Sequence, residues 1–135
     1  MEIENVFVDT SAFYALMDRS DSYNKKAKQL FAFLLDEEPH FKTTNYIVIE
    51  VLALLQNRLG FEAARLFCND ILPLIEILWV DEPRHSLAFE LWLSLGRKDL
   101  SLVDCISFIT MRHFRLENVF GFDRHFDQQG FKILD

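Results

Sequence analysis

Short apolar runs rich in β-branched and aromatic residues alternate along this chain with stretches of helical periodicity. That alternation limits the fold more than any single motif. Asn5 to Val8 reads as a buried strand, and Ser11 to Met17 as a short helix after it. Ser20-Asp21 offers an N-cap to a second helix, in which Tyr23, Ala27, Leu30, Phe31 and Leu34 recur on one face. Pro39 closes that region, and His40 to Thr43 reads as a second strand. Thr44 or Asn45 caps a long helix to Leu59, with Gly60 as its stop. Another helix spans Phe61 to Asn69, and Ile75 to Val80 is a strand. Pro83 then opens a helix whose His85, Ala88, Phe89 and Trp92 share one side. Ser101 opens a helix to His113, Asn118 to Phe122 is a strand, and Phe131 to Leu134 is a final edge strand. Such alternation specifies an α/β domain with a mainly parallel sheet.

The 135 residues suit one domain, 1–135. Half of them are hydrophobic and 14% aromatic, so a sizeable core is available and disorder is excluded as an expectation. The acidic opening, Glu2 to Asn5, lacks the basic start and apolar stretch of a secretory signal. Asn45 to Leu55 is too short to span a bilayer and carries Glu50, so no membrane and a cytoplasmic location are expected. Cys68 and Cys105 lack the spacing of a zinc or redox motif and read as reduced core residues. The formal net charge of -7 argues against tight nonspecific binding of nucleic acid, which relies on Lys and Arg. It does not argue against a site where cations offset local carboxylates.

Four carboxylates stand at junctions of the alternation. Asp9 follows Val6-Phe7-Val8, Glu50 lies in the helix opened by Asn45, Asp104 closes Leu100-Ser101-Leu102-Val103, and Asp123 follows Val119 to Phe122. Three have ordinary structural roles open to them. Asp9 suits an N-cap, Asp104 completes a capping box from Ser101, and Asp123 is a turn residue able to pair with Arg124 or His125. Such a surface pair contributes only about 0–1 kcal/mol. Glu50 has no such role, because it shares the expected buried stripe with Ile47, Val51 and Leu54. Together the four follow an order compatible with one edge of one sheet, where functional groups gather beyond the strand ends. Left unpaired beside apolar runs they cost free energy, and a hard divalent cation is a common partner for several at once. This donor set points to metal-assisted phosphodiester chemistry. Without cations, mutual repulsion should raise at least one of the pKa values.

Read in order, these segments resemble a PIN domain, and more closely a VapC-type toxin of a type II toxin–antitoxin system. The resemblance rests on Val8-Asp9-Thr10-Ser11-Ala12, on Thr44-Asn45 leading to Glu50, and on Leu100-Ser101-Leu102-Val103-Asp104. It continues with Phe122-Asp123-Arg124-His125-Phe126 followed by Gly130-Phe131, and so covers nearly the whole chain. It implies a three-layer α/β/α fold with a central parallel sheet of about five strands. It also implies cleavage of single-stranded or structured RNA, with Asp9, Glu50, Asp104 and Asp123 holding Mg²⁺ or Mn²⁺. Thr10 or Ser11 and Asn45 match positions that support the metal site or the phosphate. Many relatives carry Thr or Ser two residues before the last Asp; here that position is Gly121.

The implied reaction is an in-line displacement assisted by one or two cations. Asp9 and Asp104 are the first ligands, and Asp123 and Glu50 complete the shell directly or through water. Lys42, Arg97, Lys98, Arg112, Arg124 and His125 are candidates to contact phosphates, with Arg124-His125 foremost because the pair follows Asp123. The implied partners are an RNA substrate, a small antitoxin protein and a second copy of the chain. The aromatic surplus (Phe13, Phe31, Phe33, Phe61, Phe67, Trp92) serves either core packing or a groove for a helical tail. The alternative keeps the fold: a solitary RNA-processing nuclease, or a catalytically weak interaction module. A phosphoacceptor signalling domain would want an adjacent acidic pair and a late strand-end Lys. A haloacid-dehalogenase phosphatase would want an Asp where Ser11 stands.

Overall fold

The first strand is apolar on both of its faces, and a strand of that kind needs cover on both sides. In the computed structural model, which describes residues 2–135, β1 (Asn5–Val8) indeed has Val6, Phe7 and Val8 all buried. It occupies the centre of a five-stranded sheet. The other strands are β2 (His40–Thr44), β3 (Ile75–Leu78), β4 (Asn118–Phe120) and β5 (Lys132–Ile133), in the order β3-β2-β1-β4-β5. Every neighbouring pair is parallel. The chain first builds outward from β1 to β2 and β3, then returns to the other side of β1 with β4 and β5. The register Phe7↔Val119 and Val8↔Phe120 places the ends of β1 and β4 side by side. A topological switch point therefore lies between them.

The helices are α1 (Thr10–Met17), α2 (Asn24–Glu37), α3 (Asn45–Leu59), α4 (Phe61–Leu66), α5 (Glu82–Leu95), α6 (Leu102–His113) and α7 (His125–Gln128). This is the α/β architecture with a central parallel sheet that the sequence specifies. Thr44 caps α3 by accepting from the Ile47 N–H, and Gly60 ends the helix with φ 102°, a conformation that favours glycine. Thr43 donates to the Val8 carbonyl at 2.8 Å and so ties β2 to β1. Phe13 and Phe67 meet edge to face, and Phe108 packs against Phe126 in the same way.

The departures from expectation have local causes. The α2 helix begins at Asn24, because Asp18 and Asp21 turn their carboxylates onto Ser20 and Tyr23 and build a tight turn instead of capping. Beyond α4 the expected helix widens into a π turn over Phe67–Ile71, which buries Phe67 completely. β3 ends at Leu78, and the Val80 N–H is given to Asn45 Oδ1. β4 ends at Phe120, since the Phe122 N–H is given to Ser11 Oγ. The side of α5 shared by His85, Ala88, Phe89 and Trp92 buries Ala88 but leaves Phe89 and Trp92 exposed against each other. The short helix α7 has no periodic signal long enough to announce it. Cys68 and Cys105 are free, the first half-buried and the second buried. Among the described residues no helix is long and apolar enough to cross a membrane.

Candidate active site

The site is built outward from Asp9. Its N–H donates to the Phe120 carbonyl at 3.0 Å, which locks the end of β1 to the end of β4. Its carboxylate caps α1 and accepts from the Ser11 backbone and, at 2.9 Å, from the Ser11 hydroxyl. Ser11 Oγ in turn accepts from the Phe122 N–H at 2.9 Å. One hydroxyl thus holds both Asp9 and the segment leading to Asp123. Gly121 explains why the hydroxyl comes from Ser11: a Cβ there would lie 3.0 Å from Asp9 Cβ and 3.3 Å from Ser11 Oγ.

Asp104 occupies the first turn of α6 in a complete capping box. Its Oδ2 accepts from the Ser101 N–H at 2.9 Å while Ser101 Oγ accepts from the Asp104 N–H. Oδ1 remains for other work. Glu50 stands half-buried on α3, at the end of a stripe continued by Leu54 and Arg58 at spacings of four residues. A cleft of about 390 Å³ gathers Asp9, Glu50, Asp104 and Asp123 in its lining. Thr10 lines it too, and its buried Oγ1 has no hydrogen-bond partner among the described residues.

The remaining candidates divide. Asp123 Oδ1 accepts from the His125 N–H and lies 2.7 Å from His125 Nδ1. That ring contact is poorly aligned for a hydrogen bond and acts as a charge contact. His125 Nε2 reaches Asp99 at 3.1 Å, and Asp99 is itself gripped by Arg97. The chain Arg97–Asp99–His125–Asp123 therefore braces the last carboxylate. Arg124 is exposed and turns into a neighbouring cleft. Asn45 stands apart from the acidic cleft, with Oδ1 committed to Val80. Of the other cations, Lys42 is near Glu76 and Arg112 is bonded to Gln129.

Sequence reasoning missed Arg58, Asp21, Tyr14, Tyr23 and Phe122, all of which line the same cleft. Arg58 is its single cation among the described residues, and it lies over the Tyr14 ring at 5.2 Å. The α3 stripe was a readable signal, since Arg58 follows Glu50 by eight residues on one helical face.

Burial first, and the neighbouring carboxylates second, set the electrostatics of the site. Burial pushes the Asp9 carboxyl up to about 7, the Ser11 hydroxyl opposes that, and the charges of Asp104 and Asp123 add to it. Burial also raises Asp104, with Ser101 opposing and Asp123 adding. Burial works against protonation of His125, but its contacts with Asp99 and Asp123 outweigh it and lift its pKa. One ligand atom each from Asp104, Asp123 and His125 lies within 4.8 Å of the others. Two carboxylates and an imidazole nitrogen this close together, with Asp9 and Glu50 in the same cleft and an unpartnered hydroxyl beside them, fit a divalent cation.

Carboxylates drawn from two strand ends and two helices to the switch point of a parallel sheet define an acidic-cleft α/β protein. The PIN domain family model matches residues 6–132, and the chain belongs to that family. It is a homologue of VapC-type PIN ribonuclease toxins. The 23S rRNA-specific endonuclease VapC20 of Mycobacterium tuberculosis, in strains CDC 1551 / Oshkosh and H37Rv, is 33% identical over 129 residues, covering 93% of this chain and 95% of the relative. The crystal structure of that organism's VapC20, a sarcin-ricin loop cleaving toxin, superposes with a TM-score of 0.83 at 30% identity, covering 93% of this chain and 95% of that one. Two more distant structures share the fold. FitAcB from Neisseria gonorrhoeae has a TM-score of 0.70 at 18% identity, with 96% of each chain covered. DNA-bound VapBC from Salmonella typhimurium has 0.67 at 12% identity, with 98% of each covered.

Proposed function

We propose that the chain is an Mg²⁺- or Mn²⁺-dependent endoribonuclease and the toxin of a toxin–antitoxin pair. The observation that carries this is the gathering of Asp9, Glu50, Asp104 and Asp123 in one cleft, with the Asp9 carboxyl pushed up to about 7. Asp9, Asp104 and Asp123 would hold the cation, and Glu50 would complete the shell directly or through water. A divalent cation there supplies Lewis-acid polarisation of the phosphoryl oxygen and a lowered pKa for bound water. The chain's own residues do the rest. Ser11 orients the Asp9 carboxylate, the Ser101 box orients Asp104, and His125 orients Asp123. Thr10 would bring its hydroxyl, buried and without a partner among the described residues, to the support of the metal site or the phosphate. Arg58, the cation in the cleft, would receive a nonbridging phosphate oxygen. Asn45 would serve the fold, through Val80.

The similarity to VapC20 makes the sarcin-ricin loop of 23S rRNA the first substrate to try. A small antitoxin and a second copy of the chain are the protein partners of this proposal, and Phe61 and Trp79, each 68% exposed, are free to meet them. The deciding experiment is cleavage of a ribosomal- and transfer-RNA pool with Mn²⁺, Mg²⁺ or chelator, comparing the native chain with Asp104→Asn. Activity that survives both chelator and substitution would overturn the proposal.

Two further outcomes are expected. Mn²⁺ at a hundred times its Kd should stabilise the fold by about 2.7 kcal/mol if it binds the folded form alone. A thermal scan with and without the ion reads this, and an unmoved melting temperature would count against a bound cation. Arg58→Ala should lower kcat/KM by about tenfold, since it removes one charge-assisted hydrogen bond of about 1.5 kcal/mol. Steady-state cleavage kinetics check it, and unchanged values would remove Arg58 from the site.

A further inference from the structure

A pair of stacked rings separates the acidic cleft from a second one. Tyr23 and Phe122 lie parallel, with centroids 4.4 Å apart and planes 9° from each other, and both residues line both clefts. The second cleft measures about 310 Å³ and carries Lys26 and Arg124. On the nuclease reading above, we propose that this second cleft is a nucleotide subsite for single-stranded RNA. The base next to the scissile phosphate stacks on Tyr23, and the phosphate beyond it sits between Lys26 and Arg124.

Rigidity favours this assignment. Tyr23 is 47% exposed, yet its N–H is fixed on Asp21 Oδ1 at 2.8 Å and the adjacent Asn24 amide donates to the Ala15 carbonyl at 2.7 Å. Its stacking partner Phe122 is tied through its N–H to Ser11 Oγ. An aromatic face already held in place gives up little freedom when a base lands on it. Any base serves, because each has a π-face.

Charge favours it as well. Five carboxylates and one guanidinium line the acidic cleft, and a single divalent cation there offsets only part of that charge, so a strand running within it meets repulsion beyond the scissile phosphate. The second cleft sets Lys26 and Arg124 against Asp127 and Asp135, and neither cation forms an ion pair among the described residues. It is the less negative way out, and it meets the acidic cleft at the two shared rings, Tyr23 and Phe122.

The test uses the whole chain and a labelled single-stranded RNA of about ten nucleotides, within the usual site size for such binders. Binding is read by fluorescence anisotropy in Ca²⁺, and cleavage of the same oligomer is read in Mn²⁺. Tyr23→Ala should weaken binding by about tenfold, while Tyr23→Phe should bind as the native chain does, since it keeps the ring. Lys26→Ala combined with Arg124→Ala should weaken binding and lower the slope of log K against log salt by about 0.7 for each phosphate no longer neutralised. All three positions are exposed, so the fold is retained. If the native chain cleaves RNA while these variants bind and cleave as it does, the subsite is wrong and the nuclease reading stands. The subsite is equally wrong if they lose only affinity for an acidic partner peptide. If the native chain neither binds nor cleaves RNA, both readings fall.

Discussion

At pH 8 and without divalent cations, Asp9→Asn is expected to raise the melting temperature of the protein, and in Mn²⁺ the same substitution is expected to abolish RNA cleavage. The stability half follows from proton linkage. The Asp9 carboxyl titrates at about 7 in the fold against an ordinary value of 3.8, so between those pH values the folded chain holds a proton that the unfolded chain has released. Stability therefore falls as pH rises from about 4 to about 7, and the whole penalty is present above 7. A gap of about 3 units corresponds to about 4 kcal/mol at 1.36 kcal/mol per unit, an upper figure because the unfolded chain and the neighbouring carboxylates both relax. Asparagine removes the charge but keeps a side-chain oxygen to cap α1 and accept from Ser11. If half of the penalty is recovered, the rise is on the order of 5 °C or more for a chain of this size. At pH 4.5, close to the ordinary value of 3.8, the unfolded chain begins to hold the proton as well, and the gain should shrink to about a quarter. The variant should also lose the stabilisation that Mn²⁺ gives the native chain. A metal-free melting temperature that drops at pH 8 would show that Asp9 serves the fold rather than a cation.

The same residues show what the sequence can reveal and what it cannot. The sheet is legible because β1 is apolar on both faces and the helices carry strong end signals, such as Thr44, Gly60 and the Ser101–Asp104 box. Three of the carboxylates, Asp9, Asp104 and Asp123, are legible because each stands where periodicity changes, and Glu50 because it is a charge on an apolar helical stripe. Their convergence depends on β4 returning beside β1, which is a long-range pairing that no local pattern encodes. Helical spacing puts Tyr23 on the buried stripe of α2, and it cannot reveal that Asp18 and Asp21 consume the preceding polar residues in a turn. Phe122 reads as the end of a strand, because nothing local announces that its N–H is claimed by Ser11, 111 residues earlier. Asn45 shows the converse. Its place beside Thr44 suggests the site, and the fold spends its oxygen on Val80.

Gly121→Ala should cost at least as much activity as any change outside the carboxylates themselves. A methyl group there would stand 3.0 Å from Asp9 Cβ, 3.3 Å from Ser11 Oγ and 3.4 Å from a Val119 methyl. Asp9 Cβ is fixed to the junction of β1 and α1, so relief requires backbone movement rather than a rotamer change. Overpacking of this kind costs about 1–3 kcal/mol of stability. The neighbours must give by a few tenths of an ångström, and because a 1 Å misplacement of a catalytic group costs about a hundredfold in rate, a loss of about tenfold is expected here. Ser11→Ala acts on the same carboxylate by another route, removing the hydroxyl that donates to Asp9 and accepts from Phe122. The unsatisfied groups it leaves cost about 1–3 kcal/mol, and cleavage should fall by about tenfold, or about 1.4 kcal/mol in the barrier. Because both changes act through the position of Asp9, the double variant should resemble Gly121→Ala alone, a coupling of about 1 kcal/mol or more. Cleavage rates of the four proteins in Mn²⁺, with thermal scans beside them, complete the cycle. Strict additivity would mean that Gly121 and Ser11 reach the reaction independently, and that the shared hydroxyl is not what fixes Asp9.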